Sequence, residues 1–180
     1  HLQTSMKNKL SHPAVSTSEP RSMDAHSAET ILSSFDDLDV LVVGDLMIDE
    51  HLWGEVERIS PEAPVQIVDV DDEEQTLGGA GNVVKNLTDL GVNVSVASIL
   101  GEASTGEEIH AELGRLDVDR IGVVRDARKV SSRKTRVMSN QANQQMLRID
   151  RETTCPATEE SEETLRRHVD ETVGQFDAVI

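Results

Sequence analysis

The sequence predicts an α/β fold with a mainly parallel sheet, and three observations carry that expectation. Continuous apolar runs of strand length recur, at Val40 to Val43 and Val92 to Leu100, as in strands covered on both faces. Segments with apolar residues at helical spacing alternate with these runs, the order of βαβ units. Gly91 follows one such helical segment at the place where a left-handed C-terminal cap belongs.

Residues 1–24 are rich in Ser, His and Pro, show no periodicity, and open on His1. They read as disordered or as an upstream extension, with Met6 and Met23 as candidate starts. Ala25 to Phe35 predicts a short helix with Ile31, Leu32 and Phe35 on one face. Val40 to Val43 is the first strand. His51 to Ile59 and Pro64 to Val70 alternate in part and suit exposed strands outside the main sheet, with Pro61 and Pro64 between them. Asp71 to Glu74 reads as an acidic turn.

Asn82 to Leu90 predicts a helix with Val83, Val84, Leu87 and Leu90 inward. Val92 to Leu100 is a strand. Ser104 and Glu107 have the spacing of a capping box for a helix carrying Ile109, Leu113 and Leu116. Val118 to Val124 is a further strand, and Arg133 to Ser139 with Gln145 to Asp150 predicts a hairpin around Asn140 to Asn143. Thr158 caps a helix with Leu165, Val169 and Val173 inward and acids in its first turn. Phe176 to Ile180 repeats the pattern of Asp39 to Val43. A strand beginning there leads to the expectation that the chain is the N-terminal part of a longer domain spanning 25–180 here.

Acids outnumber bases 34 to 17, giving a formal net charge of −17. Such a surface repels nucleic acid and anionic lipid, so neither is expected as a partner. One cysteine, Cys155, excludes an internal disulfide framework and a multi-cysteine zinc site. The six histidines are scattered without metal-ligand spacing, so no metal ligands are assigned. No apolar run approaches the ~18 residues of a spanning helix, and the N-terminus lacks the apolar core of a signal peptide. Cytoplasm is the default expectation.

The feature richest in chemistry is Gly78-Gly79-Ala80-Gly81-Asn82, running straight into a helical pattern. Glycines let a backbone approach a ligand closely, and a helix start presents free N–H groups. Upstream, the strand around Val40 to Asp49 ends in an acid that can accept hydrogen bonds from hydroxyls. Asp49 is read as ligand-facing and Asp45 as structural. A tight turn serving only helix packing is the alternative for the glycines taken alone. A dinucleotide motif is discounted, because G-x-G-x-x-G would have to follow the first strand, where Gly44-Asp45-Leu46 stands.

Within this acidic chain, Arg125, Arg128, Lys129, Arg133, Lys134 and Arg136 cluster and would focus an anion. Lys134 and Arg136 share one strand face by period two; a solvated hairpin face is the alternative. Asp150 and Arg151 read as a surface ion pair of small value. Trp53 is assigned to packing in the exposed strands or to a contact between copies.

The string Gly78-Gly79-Ala80-Gly81-Asn82, with Gly91 and Gly101, is similar to the first signature of the PfkB/ribokinase-like carbohydrate kinases. Val84 stands where that signature has a small residue. Three stretches resemble one branch, the bacterial D-glycero-β-D-manno-heptose-7-phosphate kinases, often the N-terminal half of a bifunctional heptose kinase and adenylyltransferase. They are Val43 to Asp49, Arg58 to Val65 with its Ser60-Pro61-Glu62-Ala63-Pro64, and Lys134 to Val137 with Gln144 to Glu152.

The resemblance implies a ribokinase-like three-layer fold with a small β lid, at about 51–75 plus part of 130–150, that often also forms a homodimer interface. It implies that Asp49 binds sugar hydroxyls, that Gly78, Gly79 and Asn82 form the sugar-contacting turn, and that Gln145 touches the sugar. Lys134, Arg136 and Arg148 are implied as holders of the 7-phosphate. ATP and Mg²⁺ are the implied cofactors. The family's catalytic aspartate lies in a late Gly-Ala-Gly-Asp stretch absent from these 180 residues, so no catalytic residue is assigned and no activity is expected of them alone. The implied reaction phosphorylates the anomeric hydroxyl of heptose 7-phosphate, toward ADP-heptose for cell-envelope polysaccharide. A non-catalytic sugar-phosphate-binding or dimerisation module, and a PfkB kinase for another sugar, are the alternatives.

Overall fold

Two four-stranded sheets divide the chain between them. The computed structural model describes residues 24–141 and 143–180. In order, these form α1 (Ala25–Leu32), β1 (Asp39–Val43), β2 (Leu46–Ile59), β3 (Gln66–Gly79), α2 (Ala80–Asp89), β4 (Asn93–Gly101), α3 (Ser104–Arg115), β5 (Asp119–Asp126), β6 (Ser132–Ser139), β7 (Gln144–Arg151), α4 (Glu159–Thr172) and β8 (Ala178–Val179). The main sheet, ordered β5-β4-β1-β8, is wholly parallel. The second sheet, ordered β3-β2-β6-β7, is mixed, with a parallel β2–β6 pair between two antiparallel ones. The extension expected over 1–24 lies, apart from Asp24, outside the described residues.

Strand alternation sorts the main sheet's core into two sides. Val40 and Val42 of β1 and Val94, Val96 and Leu100 of β4 meet Val84 of α2 and Ile109 and Leu113 of α3 in one apolar cluster. Burying a side chain the size of Ile109 or Leu113 contributes about 1.5–3 kcal/mol. On the reverse side Ala97 and Ile99 border a cavity with Leu165, and Val43 borders another with Leu165 and Val169 of α4. Helices on both faces of a parallel sheet make the three-layer α/β arrangement. Val84, the departure from the small-residue signature, is fully buried in the main cluster.

The helix ends follow local chemistry. Gly91 has φ 89°, and its N–H donates to Thr88 O at 3.0 Å while Val92 N–H donates to Leu87 O at 3.1 Å. That pair of bonds is a Schellman cap closing α2. Thr158 Oγ1 accepts from Ser161 N–H at 3.1 Å, with Glu159, Glu160 and Glu162 in the first turn of α4. The capping box expected at Ser104 does not form. Ser104 is already helical behind Ala103, and Glu107 turns instead to Arg125.

Five further expectations are corrected. Helix α1 stops at Leu32, and Ile31 and Leu32 are exposed, so only Phe35 packs against the core. Leu90, the C-cap residue of α2, is exposed rather than inward, and so is Val173 beyond α4. Asp71 to Glu74 lies within β3, with Glu74 opposite His51 and Asp72 opposite Trp53. β3 is an edge strand, where exposed charge is tolerated and discourages further pairing. The strand expected to run on to Asp49 is two strands: β1 ends at Val43, the chain turns through Gly44 and Asp45, and β2 carries Asp49 into the second sheet.

Asp126, at the end of β5, fastens that strand to α4. Its carboxylate accepts from Thr158 N–H at 2.6 Å and Arg128 N–H at 2.8 Å. These backbone donors hold its carboxyl far below the ordinary carboxylate range. The native state therefore favours the ionised form, and the stability it lends is complete above the ordinary value of 3.8 and drains away as pH falls below it. Asp126→Asn is expected to melt at lower temperature than the parent at pH 7. Thermal unfolding followed by circular dichroism should show that gap unchanged down to about pH 4 and narrowing below it.

Candidate functional site

The second sheet has a closed face and an open one, set by the parity of β2. Ile48 and Glu50 are buried, as are Thr135 and Val137 of β6. The intervening residues point the other way. Register then lays the open face out in rows, since paired residues share a side. One row reads Thr76, Asp49, Lys134, Asp150; the next reads Glu74, His51, Arg136, Arg148; a third reads Asp72, Trp53, Met138, Gln145.

Asp49 Oδ1 accepts from Arg136 at 2.5 Å, and both side chains are about one-quarter exposed, at 25% and 26%. Gly78 is what allows the carboxylate its position. A Cβ on Gly78 would lie 2.3 Å from Asp49 Oδ2. Gly79, at φ 59°, lets β3 pass directly into α2, and Ala80 N–H donates to Asp45 O at 3.0 Å. Asn82 stands exposed in the first turn of that helix. Arg148 Nε donates to Asp150 Oδ1 at 2.9 Å. Lys134 has no ion-pair partner among the described residues.

Asp49, Lys134, Arg136 and Arg148 therefore share one open face, with Gly78 against Asp49. Gln145 is on the same face but one row beyond Arg136, roughly 7 Å further along the strand. Gly79 works chiefly as backbone geometry, its missing Cβ leaving room for Asp45 O at 2.6 Å. Gly101 is likewise structural: a Cβ there would fall 2.1 Å from Lys129 O. His51 and Trp53 stack with ring centroids 6.5 Å apart on the open side.

The expected block of positive charge is largely neutralised. Arg125 pairs with Glu107, Lys129 with Asp45, and Arg133 with Glu50 and Glu108. Asp150 pairs with Arg148 rather than Arg151, whose Nη1 reaches Thr135 Oγ1 at 3.4 Å.

Sequence reasoning missed the buried network on the closed face. Glu50 accepts from Arg133 at 2.5 Å, from Gln75 Nε2 at 3.0 Å and from the Thr135 hydroxyl. Arg133 also reaches Glu108 of α3. Burial acts to raise the Glu50 carboxyl, but bonds from Thr135 and Arg133 outweigh it and hold the group below its ordinary value. Burial likewise acts to lower the Arg133 guanidinium, and Glu108 and Glu50 overcome it. A signal existed: an acid sits on the apolar phase of Ile48-x-Glu50-x-Leu52, and Arg133 sits in phase with Thr135 and Val137.

Comparison with known proteins matches residues 37–180 to the model of the pfkB family carbohydrate kinases. The bifunctional protein HldE of Syntrophotalea carbinolica is 48% identical over 158 residues, covering 88% of this chain and 32% of that protein. HldE of Desulfatibacillum aliphaticivorans is 51% identical over 149 residues, covering 83% of this chain and 30% of the relative. The chain thus spans about a third of the length of these relatives. Among solved structures, a carbohydrate kinase from Agrobacterium tumefaciens superimposes with TM-score 0.57 at 19% identity, covering 79% of this chain and 44% of that one. Phosphofructokinase-2 from Escherichia coli gives TM-score 0.54 at 17% identity, covering 74% and 41%. These two establish a ribokinase-like fold and no more.

Replacing Arg133 by Met removes the partner of a buried carboxylate. Arg133→Met is expected to lower unfolding free energy in urea by about 3–5 kcal/mol, whereas Arg58→Met, in an exposed pair with Asp69, should change it by less than about 1 kcal/mol.

Proposed function

The chain belongs to the pfkB family of carbohydrate kinases, and from that premise we propose that it is the sugar-binding portion of an ATP-dependent kinase for heptose 7-phosphate. The observation that carries the reading is the open face on which Asp49, seated against Gly78, lies one strand from Lys134 and Arg136. Carboxylate oxygens accept hydrogen bonds from sugar hydroxyls, and fixed cations match a phosphate. Arg58 to Val65 and Gln144 to Glu152, the stretches that resemble the heptose branch, favour that sugar over other pfkB substrates, as do relatives named bifunctional protein HldE.

In this reading Asp49, given its place by Gly78, holds hydroxyls, the turn at Gly78 and Gly79 meets the sugar beside Asn82 at the start of α2, and Arg136, with Lys134 and Arg148 beside it, holds the phosphate. Gln145 reaches the ligand from the outer row. Phosphoryl transfer depends on positioning and charge stabilisation together, and these residues supply the positioning of the acceptor. Bound ATP with Mg²⁺ would supply the phosphoryl group and neutralise its charge. Among the described residues, no group of three or more His, Cys, Asp or Glu could hold a metal ion. No step through metal or nucleotide is therefore assigned to them. The product would feed formation of ADP-heptose in the cytoplasm. Exposed Ile59, Val65 and Leu147 on the lid support a homodimer through that sheet.

Trp53 is the one tryptophan and lies on the proposed ligand face, so its fluorescence should change on titration with heptose 7-phosphate. Lys134→Ala should weaken that binding at least about tenfold, the scale of one charge-assisted contact. A coupled assay of the 180-residue chain with ATP, Mg²⁺ and heptose 7-phosphate should give no ADP above the no-enzyme rate. Binding without turnover is also what a non-catalytic module would give; turnover on adding the C-terminal part of an HldE relative decides for the kinase.

A further inference from the structure

We propose that the Asp49–Arg136 pair is a specificity element that admits a ligand tightly only when hydroxyl donors and an anion arrive on one molecule. The inference rests on the sugar-phosphate reading above and adds to it a coupling between the two ends of the ligand.

The two side chains assigned to opposite ends of the ligand are bonded to each other, Arg136 to Asp49 Oδ1 at 2.5 Å, and both are about three-quarters covered. Asp49 Oδ2 is hemmed by the backbone at Gly78. Arg136 makes no other side-chain bond among the described residues. Withdrawing one partner from such a pair strands the other as a partly desolvated charge. A sugar lacking phosphate that recruits Asp49 strands Arg136. Inorganic phosphate that recruits Arg136 strands Asp49. A sugar phosphate compensates both at once.

Asp49 and Arg136 are on adjacent strands, two residues apart in register, and their side chains cross that diagonal to meet on the open face. The neighbouring cations do not provide a bypass of equal strength: Arg148 is committed to Asp150, and Lys134 lies in register between Asp49 and Asp150, two carboxylates that disfavour a free anion.

The test is calorimetry of the 180-residue chain with three probes: heptose 7-phosphate, unphosphorylated heptose and inorganic phosphate. Asp49→Asn should weaken heptose 7-phosphate at least about tenfold yet tighten inorganic phosphate by about tenfold, a coupling of ordinary size. Arg136→Gln should weaken heptose 7-phosphate and tighten unphosphorylated heptose. Glu74→Gln removes one acid from the same face, beside His51, and should alter phosphate affinity less than about twofold. Two outcomes overturn the inference: neither Asp49→Asn nor Arg136→Gln gains its single-ended probe, or Glu74→Gln gains phosphate as much as Asp49→Asn. Failure of the parent chain to bind heptose 7-phosphate overturns the sugar-phosphate reading instead, and is told apart because the phosphate gain in Asp49→Asn is scored separately. Far-ultraviolet circular dichroism identifies a variant that has not folded, and the other variant then decides.

Discussion

The open face depends on the register of β2 against β6, and that register is held from beneath by Glu50. A slip of one residue in either strand would exchange the faces, sending Asp49 toward the body and Glu50 onto the open face. Glu50 prevents this with bonds that fit one alignment, to Thr135 and Arg133 on β6 and to Gln75 on β3. Arg133 extends the hold to Glu108 on α3, so the lid is tied to the body at the row beneath the site. Apolar residues could fill the same volume, but their contacts would discriminate less sharply between neighbouring registers.

The same strand therefore does opposite things on its two sides. Below, charges are buried, mutually satisfied and fixed. Above, Asp49 bonds Arg136 and Arg148 bonds Asp150, in pairs that remain partly exposed on the open face. The glycines complete the division of labour. Gly78 yields space to a carboxylate, while Gly101 yields it to the backbone at Lys129 and Gly106 to the backbone at Gly101. Of the glycines in the signature, only Gly78 gives its space to a side chain of the candidate site; Gly91 gives its own to Asp36 at the base of the sheet.

The main sheet was legible because its rule is short. Val40 to Val43 and Val92 to Leu100 are continuous apolar runs of strand length, and Gly91 stands where a helix cap belongs. The lid was harder. Acids at Asp71 to Glu74 look like a turn in sequence, yet an exposed edge strand accepts them. The break between β1 and β2 was hidden because apolar residues continue through Leu46 and Ile48 on the far side of Gly44. At the site, Asp49, Lys134, Arg136 and Arg148 could be named from residue type and resemblance. Their pairing could not, because the choice between Arg136 and Arg148 for Asp49, or between Arg148 and Arg151 for Asp150, depends on register between strands distant in sequence. Arg133 shows the same limit: within a run of bases it looks like its neighbours, and only the alternation of β6 sends it inward.

The central claim is that a sugar phosphate lies on the open face of the second sheet, around Asp49. A crystal structure of the chain with heptose 7-phosphate tests it most directly. The account predicts hydroxyls within hydrogen-bonding distance of Asp49 and the phosphate at Lys134 and Arg136, with the bond between Asp49 and Arg136 opened. Ligand found instead in the cleft between the lid's closed face and α3, among Ile48, Gln75, Glu108 and Arg115, with Asp49 still bonded to Arg136, would contradict it.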